Sequence, residues 1–190
     1  MTLTPVAAQR LPTTCAALDY ARAAHIGQVR NDDGDAFVEH PREVAELLYG
    51  AGAPDHLIAA GALHDVLEKT AVTAFDLRRR FGTEVASLVL VLTEDKSIKR
   101  FSKRKAALRD RVADAGDEAL MLLAADKISK TRELRHKPPL LAVQARLDRR
   151  RKLANCRRCH ALLAERLPHS SLVDQLGRAL AAAGARLHGA

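Results

Sequence analysis

Tryptophan is absent from this chain of 190 residues, and aromatic residues make up only 3% of it. No apolar run approaches the ~20 residues needed to cross a bilayer, and the N-terminus lacks the charged and apolar regions of a secretory signal. We therefore expect a cytoplasmic protein that does not contact membranes. The basic stretch 96–111 contains a single aromatic residue. It lacks the stacking platform of single-strand binding proteins, so nucleic acid is not an expected partner.

Cysteine is also scarce, and the three cysteines are an odd number in a chain without an export signal. We expect them to be reduced thiols. Two of them lie in the string CRRCH (156–160), which fits the attachment site of c-type haem. Haem attachment requires export, and a zinc site would need a second Cys/His pair nearby, which is not evident. The string therefore predicts neither group.

Alanine and leucine dominate the composition, β-branched residues are few, and this balance favours helices. Periodicity and cap residues predict helices at about 14–27, 41–49, 55–69, 73–80, 83–93, 117–135, 140–167 and 171–187, with 96–111 partly helical. We expect an all-α helical bundle in one domain spanning 1–190. The net charge of +8 suits an anionic partner, such as a phosphate-rich small molecule, without identifying it.

Several helix starts are expected to be capped by side chains. Thr13 or Thr14 is a candidate cap for the first helix, and Asp55 is a candidate for the third. Thr73 and Asp76 have the spacing of a capping box. The run VASLVLVL is also compatible with a strand, but its helical neighbours favour a helix.

The strongest chemical signal is the pair His64-Asp65 in the middle of an otherwise apolar segment. Charged residues are rarely buried without a partner. Glu68 lies about one helical turn further on and shares their face, so one segment offers an imidazole and two carboxylates. This donor set suits Mn, Fe, Zn, Ni or Co better than Ca. A lone His-Asp pair, however, is more often a buried histidine beside an aspartate that pairs with an arginine.

Two further residues make the signal more specific. His40 precedes Pro41 at the start of a predicted helix, and Asp126 interrupts the apolar segment LLAADKISKTRELR. Taken singly, His40 is typical of a surface cap and Asp126 of a salt-bridge partner. The order His, His-Asp, Asp on separate helices predicts one site for a divalent metal ion.

Six ordered segments carry a resemblance to a known family. They are AHIGQVR (24–30), HPREVAELL (40–48), AAGALHDVLEKT (59–70), FGTEVASLVLVLTEDKS (81–97), LLAADKISKTRELR (122–135) and DRRRKLAN (148–155). Together they resemble the HD hydrolase domain of the RelA/SpoT homologue superfamily, above all its small stand-alone alarmone hydrolases. The resemblance covers roughly residues 15–180 and implies an HD-domain helical bundle.

The resemblance implies a role for each matching residue. The implied metal ligands are His40, His64, Asp65 and Asp126, with Mn²⁺ or another divalent transition metal as cofactor. Glu68 would orient or deprotonate the attacking water, and Arg30 would contact the nucleotide base. The implied reaction belongs to the stringent response and releases pyrophosphate from the 3′-diphosphate of guanosine or adenosine alarmones. Lys96, Arg150 and Arg151 are candidates for binding the distal phosphates.

The sequence departs from the family pattern around this site. The acid that normally follows Glu68 is Lys69, which we place at the reaction centre, and the usual substrate-binding asparagine is Lys130. Late tyrosine and tryptophan positions hold Lys152 and Asn155. Loss of an acid next to Glu68 predicts a slower reaction, because acidic partners help to position water and leaving group. Lysine is a compact point charge that suits phosphate, so the alternative expectation is that Lys69 and Lys130 alter the substrate instead.

Three functions remain open from the sequence. The first is hydrolysis of guanosine or adenosine alarmones. The second is another HD phosphohydrolase activity, on a nucleotide or on NADPH. The third is non-catalytic binding of an alarmone. All three have a small-molecule nucleotide as partner, and none predicts an oligomeric state.

Overall fold

The computed structural model describes residues 11–29, 36–136 and 143–188, most of which are helical. The helices in chain order are α1 (Pro12–Ala24), α2 (Glu39–Gly50), α3 (Asp55–Leu63), α4 (Val66–Lys69), α5 (Ala74–Leu92), α6 (Phe101–Ala115), α7 (Asp117–His136), α8 (Val143–Arg166) and α9 (Ser171–His188). The described residues contain no strand, only an isolated antiparallel bridge between Val29 and Ala36. The predicted all-α fold is confirmed, and VASLVLVL is helical.

Helix α3 lies at the centre of the bundle, where it contacts α1, α2, α5 and α7. All residues from Leu57 to Leu63 are buried, as expected for a helix that is apolar on every side. Helix α7 is a second central element, with contacts to α2, α6, α8 and α9. No helix in the described part of the chain combines the length and apolarity needed to cross a membrane.

The helix predicted over 55–69 is interrupted at its His-Asp pair. Helix α3 ends at Leu63 and α4 begins at Val66, so His64 and Asp65 lie in a turn between the two helices. The ring Nδ1 of His64 donates a hydrogen bond of 2.8 Å to the carbonyl oxygen of Gly61. In a continuing helix that oxygen would accept from the N–H of Asp65, so the imidazole competes with the helix. The prediction of one continuous helix over 55–69 was therefore wrong.

Helix α5 joins the two helices predicted at 73–80 and 83–93, with a kink between them. The kink lies at Gly82, whose φ of 86° is accessible to glycine without strain. The capping box at the start of α5 is confirmed: Thr73 Oγ1 accepts from the N–H of Asp76, and Asp76 Oδ2 accepts from the N–H of Thr73.

The N-terminus of α1 is capped by a residue from another helix. Asp55, the first residue of α3, accepts hydrogen bonds of 2.9 Å from the backbone N–H groups of both Thr13 and Thr14. Leu11 is the N-cap residue of α1 and has no capping side chain. The prediction that Thr13 or Thr14 caps α1 and that Asp55 caps its own helix was therefore wrong. The carboxylate instead ties α1 to α3.

Candidate metal centre

A cavity of about 240 Å³ lies among α2, α4, α6, α7 and α8. Four candidate metal ligands, His40, His64, Asp65 and Asp126, line it together. The two histidines are buried, with exposed fractions of 3% and 4%. Helix α2 supplies the first histidine, the break between α3 and α4 supplies the His-Asp pair, and α7 supplies the last aspartate. The packing of α2, α3 and α7 therefore assembles this cluster.

The ligand atoms of the cluster converge on one point. The Nε2 atoms of His40 and His64 are 3.2 Å apart. Carboxylate oxygens of Asp65 lie 3.9 Å and 3.7 Å from these two nitrogens, respectively. Asp126 Oδ1 lies 3.3 Å from the first nitrogen and 3.7 Å from the second. His40, His64 and Asp65 each offer an atom within 4.8 Å of the others, and Asp126 adjoins both histidines.

The donor set fits a divalent cation because the two Nε2 atoms face each other and that of His64 presents a lone pair. The carbonyl of Gly61 can only accept a hydrogen bond, so Nδ1 of His64 carries the proton. Nδ1 of His40 lies 2.8 Å from the hydroxyl of Ser129. Two nitrogens bound to one ion at about 2.1 Å are about 3.0–3.4 Å apart, and the nitrogens here match that spacing. Two imidazoles with two carboxylates form a set typical of transition metals.

Both carboxylates of the cluster are held in the ionised form. Burial raises the pKa of Asp65, but the neighbouring imidazoles of His64 and His40 outweigh burial, and the net pKa is below the usual value. The pKa of Asp126 is held well below its usual value despite burial, above all by Lys127. The Lys127 ammonium pairs directly with Asp126, and its own pKa is raised despite burial. Ionised carboxylates are the form that binds cations.

The HD domain family matches residues 17–169 of the chain. This chain belongs to the HD-domain family. The human guanosine-3′,5′-bis(diphosphate) 3′-pyrophosphohydrolase MESH1 is 30% identical over 126 residues, which are 65% of this chain and 70% of that protein. The protein of the same name from Drosophila melanogaster is 31% identical over 134 residues, 69% of this chain and 74% of its own length. A solved structure, described as a metazoan ortholog of SpoT that hydrolyzes ppGpp, has a TM-score of 0.77 and 25% identity. That alignment covers 93% of this chain and 96% of the other chain.

In this HD-domain chain, Glu68 lines the cavity next to the cluster. Its Oε1 accepts a hydrogen bond of 2.7 Å from the backbone N–H of Glu94. Burial raises the pKa of Glu68 above its usual value, although the hydrogen bond from Glu94 opposes the shift. A carboxylate with a raised pKa is a better proton acceptor, so this residue is suited to general-base chemistry.

The two lysines that depart from the family pattern also line the cavity. Lys69 is exposed, with its ammonium 5.9 Å from the centre of the Phe37 ring. Lys130 pairs with Glu133 at 3.0 Å. Burial lowers the pKa of Lys130, but Glu133 outweighs it and the net pKa is raised. The ammonium group of Lys130 is therefore positive at neutral pH.

The residues predicted to bind the distal phosphates, Lys96, Arg150 and Arg151, are not among the residues that line the cavity. Lys96 does not line the cavity, and its ammonium donates 2.9 Å to the backbone carbonyl of Glu68. The guanidinium of Arg151 stacks 4.5 Å above the ring of Phe101, which does line the cavity. Arg150 is exposed and outside the lining. The predicted base contact, Arg30, lies outside the described residues.

Several lining residues were not predicted as functional. Lys127 stands directly after Asp126, and that adjacency was the available signal. Phe101 and Lys105 lie within the basic stretch, and Lys105 pairs with the lining residue Glu94. Their orientation toward the cavity depends on how α6 packs against α7 and α8, which sequence patterns do not reveal.

Proposed function

We propose that this chain is a metal-dependent pyrophosphohydrolase that removes the 3′-diphosphate of guanosine or adenosine alarmones. The observation that carries the proposal is the convergence of the His40 and His64 Nε2 atoms at 3.2 Å in a cavity also lined by lysines. It is supported by relatives of similar length that are named as ppGpp pyrophosphohydrolases. We also propose that the chain acts in the cytoplasm.

The proposed ligands of one divalent ion, Mn²⁺ in our proposal, are His40, His64, Asp65 and Asp126. When bound, such an ion supplies Lewis acidity, which lowers the pKa of a coordinated water and polarises a phosphoryl oxygen. The cluster is mostly buried, and in such surroundings the attraction between opposite charges is stronger than in water.

Glu68 is proposed to orient the attacking water and to accept its proton. The hydrogen bond from the backbone of Glu94 fixes the position of the carboxylate. The Glu94 side chain is itself held by Arg104 at 2.6 Å and by Lys105. The ammonium of Lys96 donates to the carbonyl oxygen of Glu68 at 2.9 Å. These contacts restrict motion of the proposed base and of the segment that carries it.

The charges around the cavity suit a substrate with two diphosphate groups. Among the described residues, the lining includes five lysines, Lys69, Lys105, Lys127, Lys130 and Lys152. Ammonium groups stabilise the charge that develops on phosphate oxygens during the reaction. In the proposed reaction, water adds to the phosphorus next to the 3′ oxygen, the bond from phosphorus to that oxygen breaks, and the oxygen takes a proton. The products are pyrophosphate and a nucleoside 5′-diphosphate or 5′-triphosphate.

The decisive experiment is a product assay on the purified chain. The protein with Mn²⁺ would be incubated separately with ppGpp, ppApp and NADPH, and pyrophosphate and phosphate release would be followed. We expect pyrophosphate from an alarmone, lost in His64→Ala. His56→Ala is the matched control, since His56 pairs with Glu118 at 2.9 Å and does not line the cavity.

The other outcomes separate the alternatives. Phosphate released from NADPH, without alarmone hydrolysis, would make the chain a different HD phosphohydrolase. Tight binding of ppGpp without any product, by protein that carries metal, would make it a nucleotide-binding protein. Either result would refute the proposed reaction.

A further inference from the structure

His40 is connected to a carboxylate through a buried hydroxyl. Its Nδ1 lies 2.8 Å from Ser129 Oγ, and that oxygen lies 2.6 Å from Glu43 Oε2. We propose that Ser129 and Glu43 are positioning residues, which hold His40 in its metal-binding tautomer and thereby set the affinity for the metal. This inference rests on the proposed function, because it takes His40 as a metal ligand.

The direction of each hydrogen bond follows from the groups involved. An ionised carboxylate only accepts, so the single hydroxyl proton of Ser129 is donated to Glu43. The serine oxygen must then accept from His40, whose Nδ1 carries the proton. Nε2 of His40 is left with a lone pair directed toward His64. This chain of two hydrogen bonds, from His40 through Ser129 to Glu43, is called the relay below. It selects the tautomer of His40 in which Nε2 can bind a cation.

Further contacts hold the carboxylate at the far end of the relay. Arg132 donates to Glu43 Oε1 at 2.8 Å, leaving Oε2 to accept from Ser129. Both oxygens of the Glu43 carboxylate therefore act as acceptors. Ser129 is 1% exposed, so water does not compete for its hydroxyl. The relay thus runs from a partly exposed ion pair to a buried ligand.

The relay also fixes the spacing between two helices that carry proposed ligands. His40 and Glu43 lie three residues apart on α2, and Asp126 and Ser129 lie three residues apart on α7. Residues at this spacing share a helix face. The contacts of Ser129 therefore hold α2 and α7 together one helical turn from His40 and Asp126. Hydrogen-bonded partners of metal-binding histidines are known to tune metal affinity in this way.

The second histidine of the cluster is oriented differently. Nδ1 of His64 donates to the backbone carbonyl of Gly61 in the same segment. No side-chain substitution removes that acceptor, so the tautomer of His64 is fixed by the backbone. The tautomer of His40 depends on two side chains, and it is the one that mutation can change.

The test compares two glutamates of α2. In Glu43→Gln the new amide can donate to Ser129, which allows the serine to donate to His40 and favours the wrong tautomer. Glu46→Gln removes the same charge from the same helix, where Glu46 pairs with Arg42 at 2.8 Å. We would measure the Kd for Mn²⁺ by calorimetry without substrate. We expect Glu43→Gln and Ser129→Ala to weaken binding about 10- to 100-fold, and Glu46→Gln to leave it near the wild-type value.

A second readout separates positioning from a purely structural role. Long-range ¹H–¹⁵N spectra of the metal-free protein at pH 8 report which ring nitrogen of His40 carries the proton. We expect protonated Nδ1 in the wild type and a shift toward protonated Nε2 in Glu43→Gln. If Ser129→Ala fails to fold, the paired glutamate variants still decide the matter, because Glu43 is partly exposed.

An unchanged Kd in folded Glu43→Gln, or a wild-type His40 protonated on Nε2, would overturn the inference. A wild-type protein that binds Mn²⁺ but hydrolyses no alarmone would refute the proposed reaction instead. In that case the Kd values would still decide the role of Ser129 and Glu43.

Discussion

The carboxylate of Asp55 accepts hydrogen bonds from both the backbone N–H and the hydroxyl of Thr14, at 2.9 Å and 2.6 Å. The two residues are 41 positions apart in sequence and lie in the first turns of different helices of the bundle. Because the His-Asp pair directly follows the C-terminal end of α3, this contact anchors the opposite end of the helix on which the candidate metal centre depends.

Replacing Asp55 with alanine should destabilise the fold without touching the metal site. The variant leaves the N–H groups of Thr13 and Thr14 without their acceptor. We expect the free energy of unfolding in urea to fall by about 1–2 kcal/mol, as for loss of a helix cap. Asp19→Ala is the control, since Asp19 makes an exposed ion pair with Arg22 and should change stability by less than about 0.5 kcal/mol. Equal effects of the two variants would contradict the capping role.

The contribution of Asp55 should also depend on pH in a defined direction. Burial raises its pKa, but the hydrogen bonds from Thr14 and Thr13 outweigh burial, and the net pKa lies below the usual value. A group with a lowered folded-state pKa stabilises the fold above the unfolded-state pKa of about 3.9 and loses this effect at lower pH.

The free energy of unfolding of wild type and Asp55→Asn would be compared between about pH 7 and pH 3. We expect the difference in the free energy of unfolding between the two proteins to be largest above about pH 5. It should shrink as the pH falls below about 4. A difference that stays constant or grows on acidification would show that the charge of Asp55 is not what stabilises the fold.

The contrast between two caps shows what the sequence can reveal about the fold. The capping box of Thr73 and Asp76 was predicted because both partners lie within one turn of helix. The cap of α1 was missed because its acceptor, Asp55, reaches Thr14 only after α1 has packed against α3. Local pattern therefore predicts most helices, while contacts between helices depend on packing.

The same limit applies to the candidate site. His64 and Asp65 stand out in the sequence because they interrupt an apolar segment, and the structure brings them together with His40. Ser129 and Glu43 occupy positions that no pattern singles out, and only the packing of α2 against α7 makes them neighbours. Supporting residues of this kind are found from the geometry.

Reversing the charge at Lys69 should weaken substrate binding. Lys69 lines the cavity and is one residue from Glu68. Lys69→Asp would place a second anion there, and a substrate with two diphosphates would be repelled. We expect the KM for ppGpp to rise about tenfold at low salt, with a smaller effect at high salt because exposed charges are screened.

Lys103→Asp is the control for this change, since Lys103 is exposed on α6 and does not line the cavity. Steady-state kinetics at two salt concentrations would give kcat and KM separately. An increase in kcat with unchanged KM would contradict the binding role. It would indicate instead that Lys69 slows proton transfer by the neighbouring Glu68.

Helices α2 and α3 pack closely together at Gly61, so a branched side chain at this position should destabilise the fold. A Cβ there would lie 2.6 Å from Leu48 Cδ1 and 3.4 Å from Val44 Cγ1. Leu48 is fully buried, so its displaced methyl group would have to enter occupied space. Gly61→Val should therefore lower the free energy of unfolding by about 1–3 kcal/mol through overpacking.

A double-mutant cycle with Leu48→Ala tests this explanation. Leu48→Ala alone should cost about 2–5 kcal/mol because it leaves a cavity. In the double variant the valine would occupy part of that cavity, so the combined loss should be smaller than the sum by about 1 kcal/mol or more. Urea denaturation of the four proteins gives the coupling energy directly. Strictly additive losses would mean that the valine is accommodated by separation of α2 from α3, and the Kd for Mn²⁺ should then weaken as His40 moves away from His64.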